Sequence, residues 1–204
     1  MVKVKICGIT NLEDAIASVI AGCDALGFVF YKKSPRYITP KKARKIIRLI
    51  PKDIRKVGVF VNAPEKNIRE IARKCKLDLL QFHGEESPEF CCKFKGYKII
   101  KAFRVKDKIN LVDILSYKTF ACLFDAFTKT KFGGTGKAFD WKLLKGIRKL
   151  KRPVFLSGGL NTQNVKEAIK IIQPQWVDVS SSVEMGPGKK NYKKVKQFIE
   201  AVRN

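Results

Sequence analysis

The chain has 204 residues, 45% hydrophobic and 30% charged, a balance typical of a globular protein that is long enough to bury a core. No apolar run approaches the roughly 18 residues of a transmembrane helix, and the first strand-like stretch carries Lys3 and Lys5 rather than the features of a secretory leader. These features argue against a membrane-spanning or a secreted, disulfide-linked protein, and we expect a cytoplasmic one.

The net charge is strongly positive, with 43 Lys and Arg against 18 Asp and Glu, which gives +25. Such an excess indicates an anionic partner, namely nucleic acid, a membrane surface or a phosphorylated metabolite. Its alternative explanation is a set of solvated helix faces. The basic residues are spread along the chain, as in the segment 41–45, which favours the second explanation for most of them.

Metal binding is not expected. The six cysteines include no C-x-x-C pair, and His83 is the chain's single histidine, which excludes the common structural zinc sites.

Short runs rich in Val, Ile and Phe alternate with stretches of helical spacing along the whole chain. The predicted strands are 2–7, 25–30, 56–61, 77–82, 98–103, 120–125, 153–156 and 176–179. Helix starts are marked by Thr10 with Glu13 as a capping box, by Thr39 and Ser87 before prolines, and by Asn161 as a cap.

The alternation predicts parallel strands with right-handed crossovers. Eight such units with no linker close most simply into a (β/α)8 TIM barrel, whereas six or seven would favour an open doubly wound sheet. We therefore expect one barrel domain over residues 1–204.

In such a barrel the carboxyl ends of all strands meet at one face, which holds the active site. Polar or reactive residues follow the ends of most predicted strands or lie in the loops beyond them. They are Cys7, Arg36, Gln81, His83, Asp125, Gly158, Gly159, Asp178, Ser180, Ser181 and Ser182.

The turns at Gly158-Gly159 and Ser180–Ser182 follow the last two strands, where exposed backbone amides and helix starts can bind phosphate. Taken alone, the glycine pair is weak evidence and fits a tight turn, but its place after the seventh strand, followed by Asn161 as a cap, favours phosphate binding.

Cys7 and Asp125 are candidates for acid–base chemistry. A cysteine at a strand end beside Gly8 can act as a base if nearby cations lower its pKa, although most cysteines are small buried hydrophobic residues. Asp125 interrupts an apolar run, where burial favours the protonated form of a carboxyl group and suits a general acid. Its alternative is a salt-bridged aspartate at a strand edge. His83 can be a site residue or a capping histidine.

The segment 133–137, GGTGK, resembles part of a P-loop but lacks the full spacing, and Ala138 stands where Ser or Thr is required. We reject nucleotide binding there and predict a mobile lid that carries Lys137.

Together these motifs resemble the phosphoribosylanthranilate isomerase family of tryptophan biosynthesis over essentially all 204 residues. The matching segments are KICGIT at 5–10, GFVFY at 27–31, SPRYI at 34–38, VGVFVN at 57–62, LQFHGE at 80–85, Asp125 with 133–137, LSGGLN at 156–161, VDVSS at 177–181 and VE at 183–184.

The resemblance implies an Amadori-type isomerisation that needs no cofactor or metal. It implies that Cys7 is the general base, that Asp125 is the general acid and that Arg36 binds the anthranilate carboxylate. Asp178, Gln81 and His83 are expected to contact the substrate. The phosphate is expected at Gly158, Gly159, Ser180, Ser181 and Ser182. Members of the family occur as monomers and as homodimers.

Two residues depart from the family pattern, since Ser182 stands where glycine is usual and Phe82 where an aliphatic residue is usual. We expect the change at Phe82 to be tolerated, whereas the change at Ser182 bears on the phosphate site. Ser182 can weaken phosphate binding by its bulk or strengthen it as an added donor.

Two other functions compete with this assignment. An aldose–ketose isomerase of histidine biosynthesis does similar chemistry with two aspartates, which Cys7 argues against. A nucleic-acid-binding protein would explain the charge, but the aromatic residues near lysines follow no known module.

Overall fold

Eight parallel strands form a closed barrel in the order of the sequence. The computed structural model describes residues 1–105, 109–126, 141–144 and 146–204. The strands are Lys3–Cys7 (β1), Ala25–Val29 (β2), Arg55–Phe60 (β3), Leu79–Phe82 (β4), Lys98–Val105 (β5), Ala121–Ala126 (β6), Val154–Leu156 (β7) and Trp176–Val179 (β8). All eight predicted strands are present, with ends that differ by at most two residues, and the TIM-barrel prediction is confirmed.

The helices of the described residues surround this barrel. They are Leu12–Ile20 (α1), Pro40–Ile47 (α2), Glu65–Cys75 (α3), Pro88–Cys92 (α4), Leu111–Ser116 (α5), Val165–Ile172 (α6) and Tyr192–Arg203 (α7). Two 3-10 turns, Trp141–Leu144 and Ile147–Leu150, precede β7. After β8, a short antiparallel ribbon of Glu184–Gly186 (β9) and Lys189–Lys190 (β10) leads into α7. None of the helices in the described parts of the chain is both long and apolar enough to cross a membrane.

Local side-chain bonds decide where the helices start. Thr39 and Ser87 cap α2 and α4 as predicted, each accepting a backbone N–H three residues ahead. The capping box at Thr10 is wrong, because Asn11 caps α1 while the Thr10 hydroxyl donates to the Gly188 carbonyl at 2.5 Å.

Asn161 does not cap α6 either. Its side chain accepts the N–H groups of Gln163 and Asn164 in a turn, and the helix begins only at Val165. Asn and Asp side chains close such turns as readily as they cap helices.

The period-two alternation of side chains gives the barrel two separate apolar cores. One lies between the strands and the helices and includes Val4, Ile6, Phe28 and Phe60. The other fills the barrel interior, and its members are Ala25, Val57, Leu79, Ile100, Ala102, Ala121, Leu123 and Phe155, with Trp176 against them.

Polar side chains replace this apolar interior towards the carboxyl ends of the strands. The same alternation that points Leu79, Leu123 and Trp176 inward also points inward the residues two and four positions further along. These are Gln81, His83, Asp125, Asp178 and Ser180, with Lys5 and Cys7 on β1. The barrel interior is therefore apolar towards the amino ends of the strands and polar towards their carboxyl ends.

A buried ion pair also braces the mouth beside β4 and β5. Lys101 donates to Glu86 Oε2 at 2.9 Å and to the Gly84 carbonyl at 2.7 Å, while the two Glu86 oxygens accept from the backbone of Asn62 and Gly84. The side chains of Lys101 and Glu86 are only 3% and 2% exposed. Three neighbouring strand ends are therefore linked through one carboxylate.

Lys101→Met is expected to lower the free energy of unfolding by about 3–5 kcal/mol, because it leaves the buried Glu86 carboxylate without its counter-ion. Urea unfolding measures the loss. Lys98→Met is the matched control, since Lys98 lies exposed at the start of the same strand and should change stability by about 0.5 kcal/mol or less. Equal losses in the two variants would contradict the role of the pair.

Candidate active site

Cys7 lies at the carboxyl end of β1, directly opposite Gly27 of β2. A Cβ atom on Gly27 would lie only 2.7 Å from the Cys7 sulfur, so the missing side chain makes room for the thiol. Gly8 follows with φ +82°, a backbone conformation that favours glycine. Cys7 is partly exposed.

Burial dominates the acidity of this thiol. It raises the pKa of Cys7 above its ordinary value, while the positive charges of Lys5 and Lys190 oppose this shift and the negative charge of Asp178 adds to it. The expectation that nearby cations lower the pKa is therefore wrong for the protein without substrate. Both ammonium groups nevertheless favour the thiolate.

Asp125 lies on β6, 3% exposed, and is bonded to His83. The distance from His83 Nε2 to Asp125 Oδ2 is 3.1 Å, and Gln81 Nε2 lies 2.8 Å from His83 Nδ1. Because the Gln81 amide donates to Nδ1, the ring proton is on Nε2 and points to Asp125 Oδ2. Asp125 is thus buried, as expected, but hydrogen bonded to His83, and the His83 ring contacts Asp125 and Gln81.

Asp178 lies one layer below the mouth on β8. It is in register with Lys5 of β1, whose ammonium donates to Asp178 Oδ1 at 2.8 Å. Asp125 and His83 also act electrostatically on Asp178. The barrel interior therefore holds two hydrogen-bonded pairs that act on each other electrostatically, Lys5 with Asp178 and His83 with Asp125. Cys7 and Asp125 are separated around the barrel by β7 and β8.

Arg36 reaches the mouth from the segment between β2 and α2. Its Nε and Nη2 donate to the two oxygens of Glu184 at 2.9 and 2.7 Å. A Cβ on Gly8 would lie 2.6 Å from Arg36 Cδ, so the arginine stem packs directly beyond Cys7. Among the described residues these bonds to Glu184 use two of the five guanidinium N–H groups of Arg36.

Glu184 also holds Lys190, which donates to Glu184 Oε1 at 2.8 Å and to the Cys7 carbonyl at 2.5 Å. Burial opposes ionisation of Glu184, but the hydrogen bonds from Arg36 and Lys190 outweigh it and lower its pKa below the ordinary value. This carboxylate therefore fixes two cations at the mouth.

The turns after β7 and β8 lie side by side. Gly158 and Gly159 have φ +86° and +69°, which explains why glycine occupies both positions. Their amides find no acceptor among the described residues. In the second turn, Ser180 Oγ donates to the Cys7 carbonyl at 3.0 Å, which ties this turn to the end of β1.

Comparison with known proteins agrees with this geometry. The family model for N-(5'-phosphoribosyl)anthranilate (PRA) isomerase matches residues 4–201. The N-(5'-phosphoribosyl)anthranilate isomerase of Trichlorobacter lovleyi is 47% identical over 199 residues, covering 98% of this chain and 97% of the relative. The chain belongs to the PRA isomerase family.

Solved structures of PRA isomerases superpose closely. The enzyme from Thermotoga maritima has a TM-score of 0.94 and 47% identity, with 100% of this chain and 99% of that chain covered. A PRA isomerase in complex with reduced 1-(o-carboxyphenylamino)-1-deoxyribulose 5-phosphate has a TM-score of 0.90 and 45% identity, covering 100% and 99%.

Ser182, which departs from the PRA isomerase pattern, has a defined role in this structure. Its hydroxyl donates to the Leu160 carbonyl at 2.5 Å and so links the turns after β7 and β8. Because the single hydroxyl proton is used in this bond, Ser182 does not add a side-chain donor for phosphate.

Three residues of this PRA isomerase site were not predicted from their chemistry, namely Lys5, Glu184 and Lys190. Lys5 and Glu184 fall within the motifs that carry the resemblance, but no local pattern pairs Lys5 with Asp178 or Arg36 with Glu184 across 173 and 148 positions. The predicted lid at 133–137, with Lys137, lies outside the described residues. Within the described residues, no three His, Cys, Asp or Glu side chains group to bind a metal ion.

Proposed function

We propose that the chain converts N-(5-phosphoribosyl)anthranilate to 1-(o-carboxyphenylamino)-1-deoxyribulose 5-phosphate in tryptophan biosynthesis, with Cys7 as general base and Asp125 as general acid. The observation that supports the assignment is the closed parallel barrel, in which the carboxyl ends of β1 and β6, the strands of Cys7 and Asp125, lie at one face, in a member of the PRA isomerase family.

Asp125 acts first. Its carboxyl proton passes to the furanose ring oxygen as the bond between that oxygen and C1 breaks, and the nitrogen lone pair forms an iminium with C1. The Asp125 carboxylate left behind is stabilised by the Nε2–H of His83 at 3.1 Å. His83 is oriented for this by the Gln81 amide.

Cys7 acts second. Its thiolate takes the proton from C2, and the C–H electron pair becomes the C1–C2 double bond of an enolamine as the iminium nitrogen regains its lone pair. The enolamine then ketonises. Although burial raises the pKa of Cys7 in the free protein, the iminium brings a positive charge to the site before the thiolate is needed, which favours ionisation.

The remaining residues hold the substrate at its two anionic ends. Gly158, Gly159 and Ser180 to Ser182 form the phosphate site, supported by the unbonded glycine amides and the Ser182 link. Arg36 binds the anthranilate carboxylate with the N–H groups that Glu184 leaves. Asp178, Gln81 and His83 line the sugar site. The net charge of +25 favours capture of a substrate that carries both anions.

The direct test is the loss of anthranilate-adduct fluorescence when purified protein is mixed with phosphoribosylanthranilate. Turnover that is absent in a Cys7→Ser, Asp125→Asn double variant supports the proposal. Turnover of the aminoaldose of histidine biosynthesis instead would favour the competing isomerase and contradict the assignment.

Arg36→Met is expected to lower kcat/KM by roughly 10–150-fold, mostly through KM, because it removes a charged hydrogen-bonding partner of the substrate carboxylate. Steady-state kinetics measure the change. Arg48→Met, in an exposed arginine at the end of α2, is the control and should leave both constants unchanged. A fall confined to kcat would show that Arg36 acts in the chemical step rather than in binding.

The cytoplasmic location, the single domain over residues 1–204, and the monomer or homodimer state stay predictions. No specific nucleic-acid or membrane partner is proposed.

A further inference from the structure

Lys5 is a fully buried cation inside the barrel. It lies on the interior face of β1, two residues before Cys7, with 0% of its surface exposed. Burying an ammonium group is unfavourable unless it is paired, and even a paired one is often no more stable than apolar residues of the same size. The layer below holds such apolar residues, with Phe155 stacked on Trp176. The ion pair thus has no evident structural need.

Asp178 neutralises Lys5 from the neighbouring strand at 2.8 Å. Burial by itself lowers the pKa of Lys5, but the negative charges of Asp178 and Cys7 outweigh it and hold the pKa above its ordinary value. Lys5 is therefore a permanent positive charge in the wall of the site, and it does not serve as a proton donor.

The end of the Lys5 side chain is next to the Cys7 sulfur. A Cβ atom on Gly27 would lie 3.2 Å from Lys5 Cε and 2.7 Å from Cys7 Sγ, so both groups border the same space that the glycine leaves. The positive charge of Lys5 therefore acts on the thiol and favours its ionised form.

Among the described residues, the ammonium of Lys190 also acts on the Cys7 thiol, and like Lys5 it is paired with a carboxylate. Lys190 donates to the Cys7 carbonyl but is also bonded to Glu184, which in turn binds Arg36. On the far side, Asp125 and His83 act on Asp178. Of these two ammonium groups, Lys5 has the larger effect on the pKa of the thiol, and its Cε borders the same gap at Gly27 as the sulfur.

We propose that Lys5 is a positioning residue whose ammonium is the counter-ion of the Cys7 thiolate, with Asp178 setting how much of that charge the sulfur experiences. The inference rests on the proposed role of Cys7 as the base. Lys5 keeps all its protons during the reaction. The thiol releases its proton to solvent before the C2 step, and the S–H bond formed in that step carries the proton from C2.

The test measures the thiolate directly, without substrate, as the rate of Cys7 alkylation by iodoacetamide against pH, resolved by peptide mass spectrometry. The exposed Cys92 is an internal reference in every sample. Burial raises the pKa of Cys23 and Cys91 to about 12 and that of Cys122 to about 11, so these thiols contribute little at neutral pH.

Lys5→Met should slow Cys7 alkylation by about tenfold or more at neutral pH, because a neighbouring opposite charge shifts a pKa by one unit or more. Asp178→Asn should accelerate it, because the ammonium then acts on the sulfur alone. These opposite changes in the alkylation rate are decisive. A general loosening of the barrel would expose Cys7 and accelerate its alkylation in both variants. Lys5→Arg should retain the rate within a few fold.

If Lys5→Met does not fold, the double variant Lys5→Met, Asp178→Asn, compared with Asp178→Asn alone, gives the same answer without a buried unpaired carboxylate. Unchanged alkylation in a folded Lys5→Met variant, with slowing in Lys190→Met, would overturn the proposal and make Lys190 the counter-ion. An active Cys7→Ser variant would refute the role of the base but leave the alkylation result standing, so the two failures are distinguishable.

Discussion

Cys7→Ser is expected to lower kcat by about 10²–10⁴-fold, the range typical of a lost general base. A serine hydroxyl fits the space beside Gly27, but it ionises far less readily than a thiol and cannot take the C2 proton. Single-turnover measurements of adduct fluorescence give the rate, and thermal unfolding checks that the barrel is intact. Cys92→Ser, in an exposed cysteine, is the matched control and should keep full activity.

The pH dependence gives this prediction a second readout. The thiolate is the active form, so kcat/KM of the native chain should rise with pH as Cys7 ionises. Because burial raises the pKa of Cys7, this rise should occur at a higher pH than for an ordinary thiol. The rising limb should vanish in Cys7→Ser. Near-normal turnover with the limb retained would remove Cys7 as the base.

The barrel was predictable because its signal is local and repeated. The apolar runs that begin at Ala25 and Trp176 are each recognisable as strands without reference to the rest of the chain. In a parallel barrel their carboxyl ends lie at the same face, even if the predicted ends are wrong by a residue or two. For this reason Cys7, Asp125 and Asp178 could be placed at one mouth from sequence, although they are far apart along the chain.

The contacts that the sequence did not predict depend on the register between strands and on which of two neighbouring side chains caps a helix. Whether Asp178 meets Lys5 is decided by the pairing of β1 with β8, and a shift of one residue would separate them. Thr10 and Asn11 both have capping side chains, and the choice between them was made by a carbonyl at Gly188, near the other end of the chain.

The acidity of Cys7 was misjudged for a related reason. Sequence shows the charges near a residue but not how much water the fold removes from it. At Cys7 the burial effect exceeds that of two ammonium groups, which no pattern of neighbours along the strand reports.

Asp125→Asn is expected to lower kcat by about 10²–10⁴-fold while KM changes by no more than a few fold. Asparagine has the shape of aspartic acid, and its Oδ1 can still accept the Nε2–H of His83, so the bond at 3.1 Å and the fold should survive. It has no proton to give to the furanose oxygen. Ring opening therefore fails, although the substrate is still held at its phosphate and carboxylate.

Steady-state kinetics, with binding of a reduced product analogue measured separately, test both parts of this expectation. Asp113→Asn, on the exposed face of α5, is the matched control. If Asp125→Asn instead raised KM and left kcat unchanged, Asp125 would be a binding residue. The acid would then have to be sought in His83, the group to which Asp125 is hydrogen bonded. The two outcomes separate cleanly, because a lost proton donor changes the chemical step and a lost contact changes the affinity.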